Sequence, residues 1–225
     1  MATKDAKDRV LRVLITLEYS NPLIWRVVAV LPDITLGELH HVIQIVMGWD
    51  DDHLHQFFQK LKRSTRPSYE EQIRYYRAGK WDDDFEARMY GRKFFVPKMA
   101  PDGTPIDMEG MDEDTFLLAE VCPNASTKLT YEYDFGDSWK HEIKVKRAGI
   151  PEPGVEYPIC LGGECASPPD DCGGIWGYYS MLEAVSDPDH EQHEDMAEWL
   201  GKDFDPDAFD LKKVNAKLAK WRNRR

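Results

Sequence analysis

An α+β fold built on a mixed or antiparallel sheet is what this sequence predicts, and three observations carry the prediction. Two stretches, Val10–Glu18 and Leu129–Lys146, alternate apolar and polar residues with period two, the mark of half-buried strands. Between them, DITLGELHHVIQIVMGW repeats its apolar residues at helical spacing. Helical segments then close the chain after a loop rich in Pro, Gly and Cys at 149–177. With 42% hydrophobic and 12% aromatic residues among 225, the chain has enough apolar surface to build a core. One domain over residues 9–221 is expected, with a charged insertion at about 62–91 and a C-terminal helical part at about 178–223.

In the first strand Val13, Ile15 and Leu17 share one face, and Arg12, Thr16 and Glu18 the other. Ser20-Asn21-Pro22 turns the chain, and Ile24–Val30 returns as a second strand with Trp25 and Arg26 facing opposite ways. In the helix, Thr35 followed by Glu38 forms a capping box, Leu36, Leu39, Ile43, Val46 and Met47 face the core, and Gly48 supplies a left-handed stop. Strand, strand and helix with short links are similar to the opening of a β-grasp fold, in topology alone.

Leu54–Gln59 is expected to return as a strand. The insertion scatters Tyr69, Tyr75, Tyr76 and Trp81 among charges, with a short amphipathic helix over Glu70–Arg77. Lys93–Val96 reads as a short strand ended by Pro97, PDGTPIDMEGMDED as a polar loop, and Thr115–Val121 as a short helix or strand edge. A second hairpin spans 129–146. Leu129, Tyr131, Tyr133 and Phe135 form its apolar face, and Trp139, His141, Ile143 and Val145 continue that face beyond Gly136. Lys140, Glu142, Lys144 and Lys146 face water. The last helices are placed at Tyr178–Val185, Asp189–Leu200 and Asp207–Trp221, with Pro188 and Pro206 in first turns. Phe209, Val214, Leu218 and Trp221 form the stripe that packs on the sheet.

Charge limits the partners. A net charge of −12, from 29 Lys+Arg against 41 Asp+Glu, repels phosphate backbones and disfavours general nucleic-acid binding. The exception is the tail, where Lys212, Lys213, Lys217, Lys220, Arg222, Arg224 and Arg225 occur without an acidic residue. No apolar run is long enough to span a membrane, and the charged start MATKDAKDRV has no secretory signal character. A cytoplasmic location follows as the expectation, with reduced thiols.

Three groups of residues carry candidate chemistry. In DDDHLHQF, His53 and His55 at i and i+2 on a strand would share a face with Phe57 and, with a third ligand, hold a divalent metal. The alternative is packing beside Phe57, or capping after Asp50-Asp51-Asp52. His40 and His41, adjacent on a helix, are not expected to face one site, and His40 should border the core. In the second hairpin, Asp134 sits on the polar face, Asp137 in the turn and His141 on the apolar face. The carboxylates either accept turn N–H bonds or pair with His141 as an acid–base site. Finally, Cys160, Cys165 and Cys172 have the spacing C-x4-C-x6-C, which lacks zinc knuckles and would need Cys122 or a His from elsewhere. Gly173-Gly174 before a helix offer backbone N–H groups to an anion, but Asp170 and Asp171 stand beside them.

Five stretches together are similar to one family: NPLIWRVV, ITLGELHHVIQIVMGWDDDHLHQF, YEYDFGDSWKHEI, YPICLGGECASPPDDCGGIWGYY and FDPDAFDLKKVN. In order and wording they resemble the plasmid pRiA4b ORF-3-like proteins, also described as passengers of insertion elements. The resemblance spans most of 9–215 and implies an α+β domain with helices flanking a sheet. It brings no reaction and no catalytic residues with it. Where the family commonly has Pro-Pro-Glu-Asp, this chain has Pro168-Pro169-Asp170-Asp171, the same charge on a shorter arm.

Three functional readings follow. One is a binding or interaction module associated with mobile elements and possessing a protein partner, in which Trp25, Trp49, Asp134, Trp139 and His141 shape a groove. A second is a metal-assisted or acid–base enzyme using His53, His55, Asp134, Asp137, His141 and Asp171. The third is a nucleic-acid accessory protein working through its basic tail.

Overall fold

The computed structural model describes residues 9–62, 66–79, 82–100, 103–201 and 204–224. Trp81, Arg225 and the charged amino-terminal stretch before Arg9 lie outside those residues. Strands β1 (Leu11–Leu17) and β2 (Trp25–Val30) form the opening hairpin, followed by helix α1 (Leu36–Met47) and β3 (His55–Lys60). The insertion carries α2 (Tyr69–Ala78) and α3 (Asp83–Tyr90), after which come β4 (Arg92–Val96), β5 (Met111–Asp112) and the short α4 (Leu118–Val121). The second hairpin is β6 (Leu129–Tyr133) and β7 (Trp139–Arg147); β8 (Ile159–Glu164), α5 (Gly174–Ser186), α6 (His193–Leu200) and α7 (Leu211–Arg222) complete the chain.

The eight strands make one sheet in the order β5-β4-β3-β6-β7-β1-β2-β8. Every pairing is antiparallel except β4 with β5, so the sheet is mixed. The two hairpins meet at its centre, where Ile15 lies opposite Ile143 and Leu17 opposite His141. Period two is obeyed in the core. Leu129, Tyr131 and Tyr133 are fully buried, as are His141 and Ile143, while Lys144 is exposed. Burying one large apolar side chain contributes on the order of 2–3 kcal/mol, so this paired aromatic face is a main source of stability.

Helix α1 lies over that face because its apolar positions fall on one stripe. Leu36, Leu39, Val42, Ile43 and Val46 are buried there. Thr35 and Glu38 close the capping box, and Gly48 ends the helix at φ 86°. Helix α7 packs against α1 and β8 through Leu218, with Phe209, Val214 and Trp221 around it. No helix of the described residues is long and apolar enough to cross a membrane.

Several expectations need correcting. The 149–177 loop contains β8, an edge strand whose Gly162 and Gly163 conceal any alternation. A Cβ at Gly163 would stand 2.8 Å from the Trp25 carbonyl oxygen and 2.9 Å from the Phe209 ring, so the strand can lie there only as glycine. The insertion holds a second helix, α3, capped by Asp82 and stopped by Gly91. Helices α6 and α7 begin at His193 and Leu211, later than Asp189 and Asp207, because Asp187 and Asp205 form turns and Asp210 caps the last helix. Pro188 and Pro206 therefore precede the helices. Phe135 is 43% exposed, because β6 stops at Tyr133 and Asp134 turns the chain at φ 54°.

Candidate cation-binding corner

Three segments meet at one end of the second hairpin: the 50–54 connection after α1, the β6–β7 turn, and the 165–173 loop. The turn is tight. Ser138 N–H donates to the Asp134 carbonyl at 2.6 Å, and Asp134 Oδ1 accepts from Gly136 N–H at 2.9 Å. Asp134 N–H in turn donates to the Leu54 carbonyl at 2.9 Å, which ties the turn to the segment carrying His53.

The loop is fixed from below. Arg26, expected only to face away from Trp25, enters the protein and is 2% exposed. Its guanidinium donates to the carbonyls of Val46, Trp25, Glu164 and Cys165 and to Ser167 Oγ, and it lies 4.4 Å from the Phe209 ring centre. Burial lowers its pKa to about 10, which leaves it charged at neutral pH. Trp49 stacks on Tyr133 at 5.0 Å and donates from Nε1 to the Pro168 carbonyl at 2.8 Å. At the far end Gly173 N–H donates to Asp137 Oδ2 at 3.1 Å, and a Cβ on Gly174 would stand 2.6 Å from the Asp137 carbonyl oxygen.

This scaffold aims His53, Asp134 and Asp171 at one point. His53 Nε2 is 3.3 Å from Asp171 Oδ1 and 3.9 Å from Asp134 Oδ2, and ligand atoms of all three lie within 4.8 Å of one another. Asp134 is 9% exposed, whereas the Asp171 side chain is 75% exposed. Both aspartates have left-handed backbone, at φ 54° and 57°, a conformation Asp tolerates better than most residues. Neither meets a lysine or arginine among the described residues. Beside them Asp170 has its pKa raised, first by burial and also by the charge of Asp171, and its Oδ1 is buried without a protein donor.

The other candidates go elsewhere. His53 and His55 do not share a site: His53 lies in the bend before β3, and His55 points inward to Glu113, with Nε2 3.0 and 3.1 Å from the two carboxylate oxygens. The His55 ring stacks on His40 at 3.5 Å with an interplanar angle of 3°. His40 and His41, expected to diverge, both reach Asp51, at 2.7 and 3.4 Å. One carboxylate spans the angle between neighbouring helical positions because its two oxygens serve one ring each. Gln44 Nε2 donates to the Tyr131 hydroxyl at 2.9 Å, Tyr131 donates to His40 Nδ1 at 2.8 Å, and His40 Nε2–H donates to Asp51. Burial holds the His40 pKa down to about 4. Asp51 is drawn far below the usual carboxylate range: burial opposes this, but bonds from His40 and His41 prevail.

His141 is fully buried and donates from Nδ1 to the Trp139 carbonyl at 3.1 Å. Burial lowers its pKa to about 3, so at neutral pH it is an uncharged core ring out of reach of solvent. Asp137 serves Gly173. The four cysteines are free, buried thiols, and burial raises the pKa of both Cys122 and Cys172 to about 12. No cysteine belongs to a metal-type cluster among the described residues.

The fold and corner define a class: an α+β protein with one mixed sheet, whose helices leave a histidine–aspartate corner open at a hairpin end. The chain belongs to the family of plasmid pRiA4b ORF-3-like proteins, whose family model matches residues 9–213. It is 33% identical over 217 residues to a protein of Sinorhizobium fredii (strain NBRC 101917 / NGR234) named "Uncharacterized protein y4hQ", covering 94% of each chain. Its structure is similar, with a TM-score of 0.71 and 31% identity, to the crystal structure of a protein of unknown function, MM3350, from Methanosarcina mazei Go1. That likeness covers 94% of this chain and 99% of the other.

Proposed function

We propose that this protein is a binding module that holds a divalent cation at His53, Asp134 and Asp171 and presents it to a ligand. The observation that carries the reading is the convergence of three donors from separate segments on one point, with no lysine or arginine among the described residues against the two carboxylates. Two carboxylates this close repel one another, and a bound cation would relieve that repulsion. Two carboxylate oxygens and one imidazole nitrogen suit manganese, iron or zinc and leave coordination positions open. The donor separations of 3.3 and 3.9 Å exceed the roughly 3 Å between neighbouring ligands on such an ion, given bonds near 2.1 Å. Rotating the exposed Asp171 closes the first difference, and a shift of the partly exposed His53 ring toward Asp134 closes the second.

The same reading treats residues 9–221 as one folding unit, supported by a single sheet that takes strands from Leu11 to Glu164. It places the protein in the cytoplasm, supported by four free thiols, and among the cargo of mobile elements, supported by a family named for a plasmid reading frame.

Titration of chelator-treated protein with Mn2+, read as loss of the free-ion EPR signal, tests the proposal. One saturable site is expected in the parent protein. His53→Ala and Asp134→Asn should each weaken it at least tenfold, about 1.4 kcal/mol, without moving the unfolding midpoint. Equal Mn2+ binding by parent and variants would end the reading.

A further inference from the structure

We infer that the ligand of this corner is a small carboxylate with an apolar body, bound in the groove between α5 and α6; this rests on the cation reading above. The groove has a volume of about 330 Å3. Gly177, Ser180 and Met181 of α5 form one wall, Met196 and Trp199 of α6 the other, and Asp171 stands at one end. Asp171 thus belongs both to the groove and to the cluster around His53. The connection is rigid: a Cβ at Gly177 would stand 2.0 Å from the Cys172 carbonyl oxygen, so α5 lies directly on the loop that carries Asp171.

The lining decides the chemistry. Methionines and a 47%-exposed tryptophan offer a polarizable, adaptable apolar surface. Among the described residues no lysine, arginine or histidine lines the groove, so its side chains offer an acid group only the neutral donors of Ser180, Gln192 and Trp199 and no opposite charge. The protein alone therefore repels a carboxylate at this mouth. A cation on His53, Asp134 and Asp171 reverses the sign, and its open positions favour an oxygen donor. Binding of an apolar acid becomes conditional on the cation. The volume lies at the lower end of the range for small-molecule sites, suited to a body of about eight carbons.

Octanoate is the probe. Calorimetry with the Mn2+-loaded protein should show saturable binding that weakens at least tenfold in the chelator-treated protein. Shortening the chain by two methylenes should weaken it by about tenfold again. Bound Mn2+ should relax the protons beside the carboxyl group far more than the terminal methyl. Met196→Asp should abolish octanoate binding with Mn2+ affinity unchanged, and a small Met196→Leu change should preserve both. Mn2+ binding without octanoate binding overturns this inference and spares the cation reading. Octanoate binding that ignores Mn2+, or preferential binding of octylamine to the chelator-treated protein, also overturns it. Failure of Mn2+ to bind removes both.

Discussion

Two histidine–carboxylate clusters lie within a few residues of each other in sequence, and they differ in what their hydrogen bonds leave over. In the inner cluster His40 faces Asp51 and Tyr131, His55 faces Glu113, and the two rings stack. The near ring nitrogens and the Tyr131 hydroxyl all have protein partners, and His40, His55, Glu113 and Tyr131 are almost wholly buried. In the outer corner His53 stands 3.3 and 3.9 Å from two carboxylates, too far from one of them for a hydrogen bond. The residue types are the same. Satisfied capacity makes the first a part of the core, and unspent capacity makes the second the candidate site.

The largest expected effect comes from breaking the satisfied cluster. His40→Ala removes a stacked ring, leaves Tyr131 without its acceptor and Asp51 with His41 alone, and opens a cavity under α1. A loss of about 3 kcal/mol in urea unfolding is expected, with Mn2+ binding at the outer corner retained in the folded fraction. Should His40→Ala cost less than about 1 kcal/mol, the contrast between a structural and a functional cluster collapses.

Acid exposes the same contrast. The folded protein keeps His40 and His141 neutral, with pKa values lowered to about 4 and about 3, mainly by burial. Below the usual histidine value near 6.5 the unfolded chain therefore binds more protons than the folded one. These two residues contribute stability that is full above pH 6.5 and is lost as pH falls toward their folded values. Each adds a slope approaching ~1.4 kcal/mol per pH unit. His41 acts oppositely: its pKa is raised, first by its bond to Asp51, so its contribution is full below 6.5 and lost as pH rises. It is half-exposed and screened, so the buried pair dominates. Urea midpoints from pH 7 to pH 5 should fall, and His141→Leu should remove about half of the slope. A midpoint flat across that window contradicts the neutral burial of both rings.

How much of this was legible in the sequence depended on period. Alternation gave β1, β6 and β7, and the helical stripe gave α1 with both of its caps. Strand β8 was hidden because Gly162 and Gly163 carry no side chains to alternate. Among candidate residues, the sequence points to His53, Asp134 and Asp171 but pairs His53 with His55 as metal ligands. The structure pairs it with residues 81 and 118 positions away, through a turn and a loop whose positive φ values no spacing rule encodes. Glu113, the partner of His55, sat in a stretch read as a polar loop. Asp51 looked like one of three interchangeable acids. Arg26 was the least readable, since a guanidinium satisfied by carbonyls and Ser167 rather than a carboxylate leaves no charge pattern to find.

The smallest effect is the most diagnostic. Asp134→Asn keeps an oxygen to accept the Gly136 N–H and keeps a residue that tolerates φ 54°. It removes one negative charge from beside Asp171. In chelator-treated protein its stability should stay within about 0.5 kcal/mol of the parent, with any change toward greater stability as repulsion falls. Asp134→Ala, by contrast, loses the turn acceptor and suffers at positive φ, so it should cost about 1–2 kcal/mol under the same conditions. Mn2+ then separates charge from shape. At about a hundred times its dissociation constant, the ion should raise parent stability by about 2.7 kcal/mol and Asp134→Asn, which binds it at least tenfold more weakly, by no more than about 1.4 kcal/mol. If both proteins rise equally, the corner is an acidic surface like any other, and only the inner cluster distinguishes this hairpin.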